Sequence, residues 1–256
     1  GVRHADRGGL RAEIAVGRRA FADNWAGQRT SDQFPLRPER ILAELRKAAP
    51  ADAFIVTDVG WNKNGVGQQF PITVPGTFIT PSGLATMGFG PAAALGVKMG
   101  QPHRACVALI GDGGFGANPS VLATAMESNL PVVFLVMDNA CFGTIAGLED
   151  MHYGTSFGCL FECDGRPYHV DYAAMARSFG AEGVFCLDTA TGGILWKRLD
   201  LVLAPAAPVC AMSTRGISLS QTLLSSVFST KPMSSLYGPL FLMRTHWYFL
   251  RASFCT

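Results

Sequence analysis

Short apolar runs alternate with helix-length segments along most of the chain. The apolar runs are Ala53–Val59, Thr77–Thr80, Ala105–Ile110, Val132–Met137, Gly183–Leu187 and, more weakly, Val209–Met212. Their apolarity is continuous rather than alternating, which is typical of strands buried on both faces of a parallel sheet. The intervening periodicity predicts helices at Leu36–Ala49, Ala85–Met99, Pro119–Ser128, Asp171–Phe179 and Gly193–Leu203. The pattern therefore predicts an α/β fold: a doubly wound, mainly parallel sheet with helices on both faces.

The two ends of the chain differ from this regular middle. Residues 1–35 are mixed polar and basic with one amphipathic stretch, and the first residue is not methionine. We interpret them as a linker from an upstream domain, so the chain is expected to be one piece of a longer protein. Residues 36–213 are predicted to form the α/β domain, and 214–256 an atypical C-terminal tail. No Asp or Glu follows Asp200, and a change of reading frame between about residues 186 and 213 is one hypothesis for that tail.

Composition and charge narrow the class of protein. Hydrophobic residues make up 48% of the 256 residues and charged residues 16%, which predicts a sizeable core. The net charge of +2 is too small to indicate a nucleic-acid partner. No apolar run reaches the roughly 18 residues of a membrane span, and no signal peptide is recognisable. Seven dispersed cysteines without zinc-ligand spacing indicate a reducing compartment. We expect a cytoplasmic protein with no nucleic-acid or membrane partner.

Candidate chemistry lies where two neighbouring strands end. The run that ends at Ile110 is followed by Gly111-Asp112-Gly113-Gly114, and the next run is followed by Asp138-Asn139. Ligands of open α/β sheets bind at the carboxyl edge of the strands. Glycine allows backbone N–H groups to approach phosphate oxygens, and the positive end of a following helix favours the same anion. This edge is therefore predicted to bind a phosphate-containing ligand.

Two kinds of phosphate site fit this spacing. Gly111, Gly113 and Gly116 satisfy G-x-G-x-x-G, and Asp138 lies 22 residues beyond Gly116, as in a nucleotide-dependent Rossmann oxidoreductase. Against this, the Asp112 carboxylate would face the pyrophosphate, and like charges about 4 Å apart repel by about 4 kcal/mol at an effective dielectric of about 20. A bridging Mg²⁺ reverses the sign of that interaction, and Asn139 supplies a further oxygen ligand. A magnesium site would use both Asp112 and Asn139 as oxygen ligands, whereas the Rossmann alternative assigns them no function.

The same residues resemble a known family. Gly111-Asp112-Gly113, a gap of about 25 residues and Asp138-Asn139 resemble the thiamine-diphosphate signature, which usually ends in two asparagines. The resemblance extends to Val59-Gly60, to Gly83-Leu-Ala-Thr-Met-Gly-Phe-Gly-Pro-Ala-Ala-Ala-Leu-Gly and to Asn139-Ala-Cys-Phe-Gly. Together they look like the C-terminal, cofactor-binding domain of the acetolactate synthase-like superfamily over roughly residues 36–186.

The resemblance implies a role for each matching position. The implied metal ligands are the side-chain oxygens of Asp112 and Asn139 and the backbone carbonyl of Cys141. The implied cofactor-binding residues are Gly60, Trp61, Asn62, Gly111, Asp112, Gly113, Gly114, Asn139, Phe142 and Gly143. Met87 matches the apolar residue that holds the cofactor bent, and the Ala85 carbonyl matches the acceptor of its exocyclic amine. The implied cofactors are thiamine diphosphate and Mg²⁺.

The resemblance also implies an activity and partners. It implies decarboxylation or carboligation of 2-keto acids by a lyase or transferase, and a pyrimidine-binding domain in the same or another chain that supplies an activating glutamate. A homodimer or tetramer is implied for the full-length protein, and this chain alone is expected to be inactive. Gly147 and Leu148 stand where acetolactate synthases carry Gln-Trp, so acetolactate synthesis itself is not implied. A non-catalytic half that only binds a partner remains an alternative.

Overall fold

The computed structural model describes residues 8–31 and 37–180, together with the short segments 185–187, 194–196 and 250–251. Its centre is a four-stranded sheet. The strands are β1 (Phe54–Thr57), β2 (Phe78–Ile79), β3 (Cys106–Gly111) and β4 (Val133–Met137), in the order β2-β1-β3-β4. All neighbouring pairs are parallel. The first four predicted strands and the mainly parallel α/β fold are confirmed.

The side chains of the continuous apolar runs are divided between two separate buried clusters. In β3, Cys106, Ala108 and Ile110 belong to one buried cluster, whereas Val107 and Leu109 belong to another. Successive side chains of a strand point to opposite faces, so every residue of this strand must be apolar when both faces are covered. This explains why no hydrophobic–polar alternation is visible in the sequence.

Helices cover both faces of the sheet. They are α1 (Gly8–Asn24), α2 (Ala26–Thr30), α3 (Pro38–Ala48), α4 (Trp61–Gln69), α5 (Phe89–Gly100), α6 (Asp112–Gly116), α7 (Val121–Glu127), α8 (Gly143–Tyr153) and α9 (Tyr172–Ser178). Apolar residues of α3 and α4 pack with Val107 and Leu109. Apolar residues of α5, α7 and α9 pack on the opposite face, with Ile110. The helices predicted for residues 36–49, 119–128 and 171–179 are confirmed, with shorter bounds.

Two expectations about helices are corrected. The helix predicted from Ala85 begins only at Phe89, because Ala85 (φ 50°) and Gly88 (φ 83°) adopt left-handed conformations that interrupt a right-handed helix. The helix predicted at Gly193–Leu203 is wrong in its described part. There, β8 (Ile194–Trp196) pairs antiparallel with β7 (Phe185–Leu187), so the apolar triplet is used as a strand. The predicted strand Val209–Met212 lies outside the described residues.

Three smaller elements complete the description. β5 (Glu162–Cys163) and β6 (Arg166–Pro167) form a hairpin whose two linking residues, Asp164 and Gly165, both have positive φ. β9 (Leu250–Arg251) pairs in parallel with β7. Helix α1 has no buried residue, and its role as part of a linker stays a prediction. Among the described helices, none has both the length and the apolarity needed to cross a membrane.

Candidate functional site

The loops that follow β1, β3 and β4 meet at the carboxyl edge of the central sheet. Parallel strands end at the same edge, so residues 58–60, 111–116 and 138–143 are brought together. Residues 83–88, which lead into α5, join them there: an atom placed as Cβ on Gly113 would lie 3.1 Å from Met87 Cε. The structure thus collects residues that are far apart in the sequence.

Asp112 and Asn139 are in direct contact at this edge. The Asn139 backbone N–H donates to Asp112 Oδ2 at 3.1 Å, and the Gly113 N–H donates to Oδ1 at 2.8 Å. Each carboxylate oxygen accepts one of these bonds and has a second lone pair for a further partner. The Asn139 side chain is exposed, and its amide donates to Cys141 Sγ at 3.1 Å. The Asp112 carboxylate therefore lies against the backbone of the neighbouring strand end.

The Asp112 carboxylate is electrostatically unfavourable in the isolated protein. Burial, and after it the nearby Asp138 carboxylate, raise the pKa of Asp112 from 3.8 to about 7, although the N–H groups of Gly113 and Asn139 lower it. Two acidic groups at the end of adjacent buried strands need either a proton or a cation between them. Carboxylate, amide and carbonyl oxygens are the ligands that Mg²⁺ prefers. The donor set fits a divalent cation with hard oxygen chemistry.

The backbone carbonyl of Cys141 is not used in the antiparallel pairing to which its two neighbours contribute. The Phe142 N–H donates to the Cys159 carbonyl and the Phe161 N–H donates to the Ala140 carbonyl, both at 2.8 Å. These two bonds make Cys141 and Leu160 a non-hydrogen-bonded antiparallel pair. The Cys141 carbonyl therefore takes no part in the pairing, which leaves it usable as a ligand.

Gly113 and Phe142 form a tight pocket wall with Met87. An added Cβ on Gly113 would lie 2.5 Å from Phe142 Cε1, so no larger residue fits without displacing that ring. Gly143 is tight as well, because its added Cβ would meet Asn139 Nδ2 at 2.7 Å. Glycine at both positions lets the backbone pack closely here, and the Gly113 N–H donates to Asp112 Oδ1. This glycine cradle has no room for a larger side chain at either position.

The predicted residues after β1 divide into two groups. Gly60 (φ 98°) precedes α4, and an added Cβ there would meet Thr144 Oγ1 at 3.3 Å. Asn62 is buried beside Gly111; its Nδ2 donates to Val59 O, while its Oδ1 is buried without a partner. The Trp61 ring instead lies over Gly65 and packs on the core. Gly60 and Asn62 border the edge, whereas the partly buried Trp61 ring packs against the core beneath α4.

Two alanines at the site have strained backbones. Ala85 (φ 50°) and Ala140 (φ 52°) are left-handed, a region that costs alanine about 1–2 kcal/mol. The other described non-glycine residues with positive φ are Asn129 and Asp164, types that tolerate this conformation. Strain of this kind persists where the surrounding structure imposes it and is concentrated at functional sites. Ala85 is the predicted carbonyl acceptor, and Ala140 separates two predicted metal ligands.

The segment before α9 contacts the buried Asp138 side chain through His169. His169 Nδ1 lies 2.8 Å from Asp138 Oδ1, which also accepts from the Ala140 N–H at 3.1 Å. Burial raises the pKa of the Tyr172 hydroxyl, which donates to the Asp112 carbonyl at 3.2 Å.

Asp138 is 1% exposed, so it is inaccessible to a ribose. Gly116 makes no close contact of the kind a dinucleotide fingerprint uses. The geometry disfavours the Rossmann alternative.

Sequence reasoning assigned no role to three buried polar residues: Asp58, His169 and Tyr172. Each lies at the edge of the sheet or against it. A signal existed for Asp58 alone, because a charged residue directly after a buried strand is unusual unless it has partners. Across residues 8–31 and 37–180, no group of three or more His, Cys, Asp and Glu side chains is placed to hold a metal. A cation here would accordingly rely on amide, carbonyl and phosphate oxygens as well.

Comparisons with known proteins place these features in a family. Residues 58–206, more than half of the chain, match the family described as "Thiamine pyrophosphate enzyme, C-terminal TPP binding domain". A probable acetolactate synthase large subunit of Methanococcus aeolicus is 33% identical over 154 residues, 58% of this chain and 25% of that protein. Acetolactate synthase isozyme 3 large subunit of Escherichia coli is 31% identical over 149 residues, again 58% and 25%. The chain spans about a quarter of the length of these relatives.

A solved structure supports the fold. The Rhodococcus jostii thiamine diphosphate-dependent 4-hydroxybenzoylformate decarboxylase matches with a TM-score of 0.57 at 19% identity, covering 84% of this chain and 32% of that one. At this identity the likeness concerns the fold alone. The matched architecture is the parallel α/β arrangement described above.

Proposed function

The chain belongs to the thiamine pyrophosphate enzymes as a C-terminal TPP binding domain, and we propose that it holds the diphosphate of thiamine diphosphate through Mg²⁺. The observation that carries this proposal is the contact between Asp112 and Asn139 at the carboxyl edge. Burial and a second carboxylate raise the pKa of Asp112 to about 7, and a divalent cation beside it reverses that penalty. The proposed ligands are Asp112, Asn139 and the Cys141 carbonyl.

Other residues of the chain would bind and orient the cofactor. The Gly114 N–H and the Gly113 N–H, which also donates to Asp112 Oδ1, are proposed to contact the diphosphate, with Gly60, Asn62, Gly111 and Gly143 around it. Met87 and Phe142, which both lie against Gly113, would form the wall on which the thiazolium rests. The strained Ala85 would direct its carbonyl to the aminopyrimidine. When bound, the cofactor would supply a thiazolium whose deprotonated carbon is a nucleophile for carbonyl groups and whose ring is an electron sink for carbon–carbon bond cleavage.

We propose 2-keto acids as substrates and decarboxylation or carboligation as the reaction. Support comes from the relatives, a probable acetolactate synthase large subunit and an acetolactate synthase isozyme 3 large subunit. The structural neighbour that shares the fold is a 4-hydroxybenzoylformate decarboxylase. Gly147 and Leu148 both lie exposed on α8, in the places where a Gln-Trp pair is expected in acetolactate synthases. Their presence favours a related reaction over acetolactate synthesis itself.

A second domain is proposed to cover the site. Large apolar side chains are exposed in segments next to the edge loops: Leu84, beside Ala85, is 97% exposed, and Phe157, beyond α8, is 89% exposed. Ile145, Leu148 and Met151 of α8 are also exposed. Large apolar side chains left exposed in this way are candidates for an interaction surface. We propose that it receives a pyrimidine-binding domain of the same or another chain, in a cytoplasmic homodimer or tetramer, and that the chain alone does not turn over.

The same apolar surface favours a second candidate, a non-catalytic half that binds the cofactor and a partner without turnover. CO₂ release from a panel of 2-keto acids separates the two candidates. It would be measured with the chain alone and with a pyrimidine-binding domain from a relative added. Release only in the mixture supports the enzyme proposal; cofactor binding and complex formation without release supports the non-catalytic half.

Ligand-induced stabilisation tests the cofactor proposal directly. Thermal unfolding would be followed with thiamine diphosphate, with and without Mg²⁺, and separately with NAD. A ligand at about 100 times its dissociation constant adds about 2.7 kcal/mol. We expect that gain only with thiamine diphosphate and Mg²⁺ together, and its loss in Asp112→Ala.

The matched control is Asp23→Ala, which removes an exposed carboxylate from α1 and should keep the full gain. Because Asp112→Ala also removes a buried charge, the ligand-induced gain is compared within each variant rather than between variants. Stabilisation by NAD alone, or an unchanged gain in Asp112→Ala, contradicts the proposal.

A further inference from the structure

Asp58 is a fully buried carboxylate directly after β1 that neither the metal site nor the diphosphate contacts explain. It has no exposed surface, and its backbone N–H points to the Leu109 carbonyl of β3 at 3.4 Å. An ionised group at such a position must be compensated by hydrogen bonds or by opposite charge. Its partners therefore indicate what it does.

Three backbone N–H groups donate to this one carboxylate. Val59 donates to Oδ1 at 2.8 Å, Gly88 to the same oxygen at 3.2 Å, and Gly90 to Oδ2 at 2.7 Å. Gly88 and Gly90 are the cap and second residue of α5, whose first N–H groups have no partner within the helix. Asp58 thus caps α5 from another strand and places its charge at the positive end of the helix dipole.

The same carboxylate is in contact with the glycine segment after β3. An added Cβ on Gly114 would lie 2.8 Å from Asp58 Oδ1 and 2.9 Å from Cγ, and one on Gly90 would lie 3.1 Å from Oδ2. Gly88 in turn packs near Ala117 and the Gly114 carbonyl. The segments that carry Gly60, Met87 and Gly114 therefore all rest on one side chain.

We propose that Asp58 is a positioning residue that sets the Met87 segment against the glycine cradle. This inference rests on the proposed function, since the cradle is the proposed cofactor site. Asp58 is neither a proposed metal ligand nor a proposed contact of the cofactor. Its effect is exerted through the bonds to Gly88 and Gly90, which fix where Met87 lies relative to Gly113.

Asp58→Asn tests the hydrogen bonds to Gly88 and Gly90 with almost no change in the shape of the side chain. An amide has one acceptor oxygen, so in either orientation at least one of the Gly88 and Gly90 N–H groups faces an NH₂ donor. The Met87 segment should loosen, while Asp112, Asn139 and Gly113 keep their contacts. The readouts are amide hydrogen exchange at residues 83–90 and the dissociation constants of Mg²⁺–thiamine diphosphate and Mg²⁺–pyrophosphate.

We expect exchange at residues 88–90 to accelerate about tenfold or more while β3 stays protected. The dissociation constant of thiamine diphosphate should rise about ten- to a hundredfold, as for loss of a hydrogen bond to a charged group. That of pyrophosphate should change by less than about threefold, because the isosteric amide keeps the packing against Gly114 and Met87 is not a proposed contact of the diphosphate. A side chain that only stabilises the fold would weaken both ligands by the same factor.

Gly90→Ala tests the same contact with the carboxylate retained, and it serves if Asp58→Asn does not fold. The new Cβ would lie 3.1 Å from Asp58 N and Oδ2, so the helix start must shift by a few tenths of an ångström. Gly96→Ala is its matched control, since that position in α5 has no atom within 4 Å. Gly90→Ala should favour pyrophosphate over thiamine diphosphate relative to the parent, and Gly96→Ala should not.

The outcomes separate this inference from the proposed function. If the parent chain binds neither ligand, the proposed function fails, and this inference fails with it. If the parent binds both, equal weakening of the two ligands in Asp58→Asn, or unchanged exchange at residues 88–90, overturns the positioning role alone. Selective loss of thiamine diphosphate affinity with faster exchange supports it.

Discussion

Replacing Gly113 by alanine tests whether the glycine cradle is the binding surface. Gly113 lies in the short helix α6, between Asp112 and Gly114, and its backbone conformation is open to other residues. An added Cβ would lie 2.5 Å from Phe142 Cε1, 2.9 Å from Cδ1 and 3.1 Å from Met87 Cε. Contacts below 3.0 Å do not persist, so the Phe142 ring must move.

The cost of that movement can be bounded from the packing. The Phe142 ring packs edge-on against Phe161, with ring centroids 4.7 Å apart, so its retreat is restricted. Overpacking of this kind costs about 1–3 kcal/mol. We expect Gly113→Ala to lower the free energy of unfolding by that amount and to raise the dissociation constant of Mg²⁺–thiamine diphosphate at least tenfold, since each tenfold change is about 1.4 kcal/mol.

Gly116→Ala is the matched control. It lies in the same short helix with no atom within 4 Å of its added Cβ, and alanine there should stabilise by up to about 1 kcal/mol through helix propensity. Urea unfolding gives the stabilities, and titration calorimetry gives the affinities. If Gly113→Ala matches Gly116→Ala in both quantities, the cradle does not contact the ligand and the reasoning is refuted.

Three further predictions follow from buried or strained residues. Because burial and Asp138 raise the pKa of Asp112 from 3.8 to about 7, the stability that Asp112 contributes to the apoprotein should be fully present below about pH 4 and be lost between about pH 4 and 7, by up to about 4 kcal/mol; urea unfolding of Asp112→Asn should lack this fall, and parallel profiles would contradict it. Ala140→Gly should stabilise by up to about 1 kcal/mol, because it removes left-handed strain at some cost in chain entropy, and a lower midpoint in thermal unfolding would argue against strain. Phe115→Ala should destabilise by about 3–5 kcal/mol in denaturant titrations, because this fully buried ring packs edge-on against Phe134 and Tyr172; a loss below about 1 kcal/mol would mean that the core repacks.

The sequence was informative where local pattern and burial coincide. The strands could be predicted because double-sided burial makes runs such as residues 106–110 wholly apolar. Helices α4 and α8 could not be predicted from the sequence pattern. The first contains two glycines, and the second has no buried residue, so neither shows an apolar stripe of helical period. The hairpin at 162–167 was missed although Asp164-Gly165 is a favoured turn pair, because its flanking strands are two residues long and exposed.

Site residues were predictable to the extent that their chemistry shows in the local motif. Asp112 and Asn139 follow strands in sequence, and the rule that ligands bind at the carboxyl edge places both side chains there. The Trp61 ring shows the limit of this reasoning: its position in the motif suggests the edge, whereas its size directs it over Gly65 into the core. His169 and Asp58 act through partners 31 and 32 residues away, and no local pattern encodes such tertiary contacts.

The contacts at this edge together indicate a site formed by the fold before any ligand arrives. Asp112 is held by two N–H groups although burial and Asp138 disfavour its charge, and Ala85 and Ala140 keep strained conformations. The free energy of folding therefore already includes the cost of placing a buried carboxylate and two strained alanine backbones at one edge. A cation relieves that cost on binding, so Mg²⁺ and the diphosphate should bind with positive coupling: each strengthens the other by the same factor. Independent binding of the two would mean that Mg²⁺ does not lie between the Asp112 carboxylate and the diphosphate.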